Sequence, residues 1–143
     1  MSNFDTVKAI TANIESVLKA QGIGFNLATD ETLDKKAALT PYGEIFYISE
    51  TFEYTHGQKP EYAEAEFKIR IVLFNPNPRD MVREQQKWVH LIREALTVNA
   101  LNVGGLVATK YVSRVTTDTV TIGSNGDGFA DLDYTILIRY REV

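Results

Sequence analysis

The chain predicts an α+β domain: a largely antiparallel sheet with a long β-hairpin and two amphipathic helices packed on one face. Three observations lead there. Apolar residues recur at helical spacing in two stretches, and they alternate strictly with polar residues in two others. The elements follow in the order helix, strand, long hairpin, helix, then two or three strands. The 143 residues fit a single domain over 1–143, a size at which folding removes roughly 70% of the unfolded surface from water.

Phe4, Val7, Ile10, Ile14, Val17 and Leu18 share one side of a helix predicted over 3–20. Ser2 or Asn3 can cap its free amides, Asp5 suits its first turn, and Gly22 stops it. "IGFNLAT" predicts a short strand. "DETLDKKAALTPYG" then reads as a long polar connection, expected to be mobile, in which Pro41 and Gly43 end any helix. A hairpin over 44–74 follows. Its first strand, from Glu44 to about Thr55, is rich in Ile, Phe, Tyr and Thr, and "HGQKP" turns the chain. Its second strand sets Ala63, Ala65, Phe67, Ile69, Ile71 and Leu73 against Glu64, Glu66, Lys68 and Arg70, the period of a half-buried strand. Strands of about a dozen residues reach roughly 40 Å at ~3.3 Å each. The expected radius of gyration is only ~14–15 Å, so the hairpin tip is expected to project.

Two prolines close the hairpin and open a helix predicted over 79–96, with Met81, Trp88, Val89, Leu91, Ile92, Ala95 and Leu96 on one side. Arg83, Gln86, Lys87, His90, Arg93 and Glu94 take the other. The region 106–142 holds the carboxy-terminal strands, broken at "SNGDG". In its last strand Leu132, Tyr134, Ile136, Ile138 and Tyr140 alternate with Asp131, Asp133, Thr135, Leu137, Arg139 and Arg141.

Composition narrows the function classes. The chain is 44% hydrophobic and 24% charged, with no apolar run near the ~20 residues that span a bilayer. The start "MSNFDTVKAI" has neither the basic beginning nor the apolar stretch of a secretion signal, which predicts a cytoplasmic protein. Absence of cysteine excludes disulfides, thiolate zinc sites and cysteine nucleophiles. The net charge of −4 is uneven, since residues 30–67 hold nine acids and three lysines and so leave the remainder at +2. An acidic excess opposes general binding to phosphate backbones and permits contact between the acidic part of one copy and a more basic part of another.

No catalytic, metal or cofactor motif emerges. His56 falls in the hairpin turn and His90 lies opposite the apolar stripe of its helix, so both read as solvent-facing. "SNGDGFADLD" offers Asn125, Asp127, Asp131 and Asp133 as oxygen donors without the spacing of a calcium loop, and reads as a turn. "NVGG" and "GIG" are too short for phosphate cradles, and Ser49, Ser113 and Ser124 lack a nucleophile-elbow context. Carboxylates along exposed strand faces imply no pocket to perturb them. Lys68, Arg70, Arg79, Arg83 and Lys87 with Phe74 and Trp88 make a candidate basic patch with aromatics, although Trp88 at the centre of an apolar stripe reads as core.

The amino-terminal helix, the polar connection, the hairpin "EIFYISETFEYTHGQKPEYAEAEFKIRIVLFN", the helix "RDMVREQQKWVHLIREAL" and the strand "DLDYTILIRY" together resemble the tail terminator, or tail completion, proteins of long-tailed bacteriophages and prophages. The resemblance spans nearly the whole chain and lies in the order and patterning of elements. It implies a structural virion protein and no enzyme: a ring, usually of six copies, that caps the tail tube, ends its polymerisation and joins it to the head or neck. The implied partners are the chain itself, a tail tube protein and a head–tail connector or neck protein. No cofactor, membrane or specific nucleic acid is implied, although DNA passes through the channel. Assembly in the host cytoplasm and residence in the virion follow. The expected subunit interface sets Glu53, Tyr54, Tyr62, Glu64, Glu66, Lys68 and Arg70 of the hairpin against Arg79, Arg83, Lys87 or Arg93 of a neighbour. Another neck or connector protein, and a small α+β ligand-binding domain or enzyme with a pocket between sheet and helices, are the alternatives.

Overall fold

In the computed structural model, residues 3–25, 40–54, 61–104, 111–124 and 127–142 are described. Helix α1 spans Asn3–Ala20, as predicted. It buries Thr6, Ile10, Ile14 and Leu18, one residue per turn, with Val7 and Val17 packed at the flank. Phe4 departs from the expected stripe and is 74% exposed. The helix ends as a Schellman motif. Ile23 N–H donates to Leu18 C=O at 3.1 Å and Gly22 N–H to Lys19 C=O at 3.0 Å. Gly22 takes the φ of +91° that this geometry requires. Leu18 and Ile23 are then buried together in the core, which fixes the exit of the chain. The capping role assigned to Ser2 lies outside the described residues.

Strands β1 (Tyr42–Glu53), β2 (Tyr62–Phe74), β3 (Val112–Ser124) and β4 (Phe129–Arg141) form one antiparallel sheet in the order β1-β2-β4-β3. The two central strands bury the predicted alternating residues, Ala63 to Leu73 on β2 and Ala130 to Tyr140 on β4. Their other face carries charged and polar side chains, so the sheet is covered on one side only. The strand expected from "IGFNLAT" is reduced to a parallel bridge between Gly24 and Tyr42 within the described residues. A Cβ on Gly43 would stand 2.9 Å from the Ile23 side chain, so only glycine lets β1 begin against this segment.

The strands of the hairpin lie within the sheet, while the expected projection of its tip falls on residues outside the described ones. β2 pairs with β4 along its whole length, from Tyr62 opposite Arg141 to Phe74 opposite Phe129. β3 and β4 have 13 residues each, as β2 does, so the whole sheet is long and the hairpin is its middle and one edge. The turn "HGQKP", His56 and the connection 26–39 lie outside the described residues.

Helix α2 spans Pro78–Ala95, one residue earlier than predicted at each end. Asn77 caps it, its Oδ1 accepting from Arg79 N–H at 3.0 Å and Asp80 N–H at 3.4 Å, and Pro78 sits where no amide is needed. Met81, Gln85, Trp88 and Ile92 face the sheet, while Arg79, Arg83, Gln86, Lys87, His90 and Arg93 are exposed, as their spacing predicts. A further turn, α3 (Val98–Leu101), was not expected from the sequence. Thr97 caps it through Ala100 N–H, and Asn13 of α1 donates to its Leu101 C=O at 2.7 Å.

Tyr134, fully buried on β4, donates its hydroxyl to Trp88 C=O at 2.8 Å and so ties α2 to the sheet. Burial pushes its pKa above the ordinary 10.0. Folding therefore favours the neutral phenol. That contribution is complete below pH 10 and is lost as pH rises above it toward the folded-state value. Stability is expected to fall above pH 10 by up to about 1.4 kcal/mol per pH unit from this group. The loss should be shallower in Tyr134→Phe when urea midpoints are compared between pH 9 and 11. An unchanged slope would contradict this assignment.

Candidate functional site

Three surfaces hold the predicted interface residues, and the fold separates them. On the open face of the sheet, three of the charged hairpin residues expected to await a neighbour have a partner within the chain. Glu53 accepts from Arg139 at 3.0 Å, Glu64 from Arg114 at 2.9 Å, and Arg70 donates to Asp133 at 3.1 Å. The hydrogen bond to Asp133 is the main reason the Arg70 pKa is raised, and that to Glu53 has the same effect on Arg139. The Arg139 guanidinium also lies 3.8 Å from the ring centre of Tyr62. Glu66 and Lys68 are half-buried in the same layer. Cross-strand register supplied these cations: Glu64 stands opposite Arg139, which stands opposite Arg114.

The cations Arg79, Arg83, Lys87 and Arg93 lie on α2, on the opposite side of the sheet from Lys68 and Arg70. The fold therefore divides the candidate nucleic-acid patch between two faces. Trp88 is 6% exposed within the core and Phe74 packs on Phe129 with ring centres 4.8 Å apart, so neither presents a free stacking surface.

The third surface is the edge strand β1. Beyond the Gly24 bridge no described residue pairs with its outer edge. Tyr47, Ile48, Phe52 and Tyr54 are about half exposed, between 49% and 60%. A bulge at Ile48 explains which of them share a face. Tyr47 stands opposite Phe67 and Ser49 opposite Glu66, so one extra residue intervenes and the alternation resumes out of phase. Glu50 and Phe52 consequently look toward α1, as Gly43, Ile45 and Tyr47 do before the bulge.

Between β1 and α1 lies a groove of about 700 Å³. Phe4, Val7 and Thr11 form its helical wall, and Tyr47 and Phe52 its strand wall. At its base the Tyr140 hydroxyl donates to Glu50 Oε2 at 2.6 Å. Glu50 Oε1 is buried without a hydrogen-bond partner among the described residues, with the Tyr47 hydroxyl close to the same carboxylate. Burial, and then the neighbouring Glu50 carboxylate, raise the pKa of both Tyr140 and Tyr47. A carboxylate oxygen left without a donor costs about 1–3 kcal/mol or more. The arrangement fits a cationic donor flanked by apolar surface. Sequence reasoning missed it because the spacing 47, 50, 52 matches neither strand nor helix, and the bulge that unites these residues depends on the pairing with β2.

Among the described residues no cluster of three or more His, Asp or Glu side chains is arranged to hold a metal ion, and no helix is long and apolar enough to cross a membrane. Asp127, part of the candidate calcium loop, accepts from Phe129 N–H at 3.1 Å and so shapes the turn into β4, while Asn125 lies outside the described residues. No protein-family model matches the chain, and a search of curated proteins returns no match.

Proposed function

We propose that this chain is a structural component of a long-tailed phage particle, of the tail-terminator kind, which works by associating with copies of itself into a ring. The ring caps the tail tube, ends its polymerisation and joins it to a head–tail connector. The edge of β1, which no described residue pairs with beyond Gly24 and beside which Tyr47, Ile48, Phe52 and Tyr54 are about half exposed, is the observation that carries this reading. Solitary proteins blunt such an edge with charge, proline or a covering segment, because unpaired strand groups next to apolar side chains template further association. The order and length of the elements, which carried the resemblance, support it too. Contacts between unlike patches on successive copies close into a ring when the rotation allows.

Sedimentation velocity between low and high micromolar concentration tests the proposal. A species of about six chains is expected, and a monomer throughout would overturn it. In such a ring acidic side chains face the channel and let DNA pass without sticking, so measurable binding of duplex DNA at moderate salt would contradict that part. Neighbouring genes for tail tube and portal proteins would favour a terminator or a neck protein over other classes. The α1–β1 groove favours one alternative of a different class, since its volume falls within the ~300–1,000 Å³ of small-molecule sites. A monomer that binds a small organic cation there would support a ligand-binding domain instead.

A further inference from the structure

Among the described residues no cation reaches Glu50 at the base of the groove between α1 and β1, and the exposed face of α2 offers several. At 100° per residue Arg79, Arg83, Gln86, His90 and Arg93 make one stripe along that helix with no carboxylate among them. Val82, at the edge of the stripe near its start, is 51% exposed and is the one large apolar side chain on α2 that reaches so far into solvent. The groove has the complementary character. Three carboxylates (Glu15, Glu50 and Glu142) and one ammonium (Lys8) line it, with Phe4, Tyr47 and Phe52 as its most exposed large hydrophobic walls. Glu15 is already engaged by Lys19 at 3.2 Å, which leaves Glu50 Oε1 as the buried acceptor in want of a donor. No residue of α2 lines the groove, so the two surfaces do not meet within one chain.

We propose that the α1–β1 groove is the socket for α2 of a second copy of this chain, with the Arg83 guanidinium of that copy paired to Glu50 Oε1 and its Val82 packed between Phe4 and Phe52. This deepens the ring reading and rests on it. The contact is heterologous, because socket and helix are different patches, and each copy offers both, so successive copies repeat the contact. It is a helix-in-groove contact whose two anchors, Val82 and Arg83, are adjacent on the helix and about 100° apart around its axis. A guanidinium suits the site because it stays charged and can serve Glu50 and the neighbouring tyrosine hydroxyls from one planar group. Apolar contact beside the ion pair excludes water from it, which is where such a pair gains strength.

The absence of cysteine makes the test direct. Ala12→Cys places a thiol on the groove wall and Gln86→Cys places one on the α2 stripe. A chain carrying both, treated with a short bis-maleimide, is expected to give a ladder of dimers, trimers and higher species on a denaturing gel. Each single variant gives at most a dimer. In parallel, Glu50→Arg and Arg83→Glu should each weaken self-association at least tenfold by sedimentation, and the double exchange should restore most of it. Melting curves of the single variants report whether they fold. A wild-type assembly with no ladder, or with exchange variants that associate like wild type, overturns the contact and leaves the ring reading standing. A wild-type monomer at every concentration overturns both. A small organic ammonium that fills the groove without changing sedimentation also overturns the proposal and assigns the socket to a ligand.

Discussion

Replacing Trp88 by alanine is expected to destabilise the fold by about 3–5 kcal/mol, the usual cost of emptying a large buried aromatic site. Domains of this kind hold about 5–15 kcal/mol in all, so the variant would be partly unfolded under mild conditions. Trp88 is 6% exposed and lies in the cluster that joins α2 to the sheet, with Ile92 on one side and the fully buried residues of β2 and β4 beneath. Its indole N–H donates to Glu84 Oε2 at 3.1 Å at the edge of the core, which satisfies the one polar atom the ring brings with it. The same residue's carbonyl receives the Tyr134 hydroxyl. A cavity here therefore loosens both the packing and the tie between α2 and β4. Urea denaturation followed by circular dichroism measures the effect. Trp88→Phe should recover more than half of it, and a loss below about 1 kcal/mol in Trp88→Ala would show that α2 contributes little to the core.

The second large effect is expected at Asn102. Its side chain is 7% exposed and forms a two-point clamp on the first residue of β3, with Nδ2–H donating to Val112 C=O at 2.8 Å and Oδ1 accepting from Val112 N–H at 2.9 Å. The amide thus stands where a neighbouring strand's backbone would stand. Alanine would leave two buried backbone groups unpaired at about 1–3 kcal/mol each, so a loss of roughly 2–5 kcal/mol is predicted. Asn102→Asp separates shape from hydrogen bonding, because its size is unchanged. The carboxylate can still accept from Val112 N–H, yet it faces Val112 C=O with a second oxygen instead of a donor. It should destabilise as much as alanine at pH 7. Hydrogen exchange at Val112 reports the local part of the loss, and protection unchanged in both variants would contradict the clamp.

Both residues bear on the proposed assembly through what they position. Asn102 anchors the chain after α3, and α3 holds α1 through the hydrogen bond from Asn13 to Leu101. Trp88 sets the seat of α2, whose outer face carries Arg79, Val82 and Arg83. Socket and helix are thus held on one rigid layer by a few buried polar contacts and a shared core. The open face of the sheet is of another kind. Its ion pairs between Glu53 and Arg139 and between Glu64 and Arg114 are solvent-screened, and exposed pairs of that sort contribute about 0–1 kcal/mol.

Much of the architecture was legible in local pattern. Repetition near every fourth residue placed α1 and α2, and alternation placed β2 and β4, because a side chain's face within one element depends only on backbone period. The same reasoning put Trp88 in the core and His90 in solvent, where they are found. It failed wherever the outcome depended on a distant neighbour. Phe4 belongs to the helical stripe by spacing, but no part of the sheet covers it. Glu64 looked like a residue awaiting another subunit until β3 brought Arg114 beside it from 50 positions away.

The amino-acid order alone therefore determined α1, α2, β2 and β4, most of their buried faces and the class of fold, since these are properties of periods only a few residues long. Tertiary structure decided that the hairpin lies within the sheet, because equally long closing strands give β2 a partner at every position. It also decided that β1 is an edge, and that a bulge at Ile48 turns Glu50 and Phe52 to the side of the sheet that Tyr47 already faces. The physical reason is that pairing and register are settled between segments far apart in the chain, where no local period carries information about which strand becomes the neighbour.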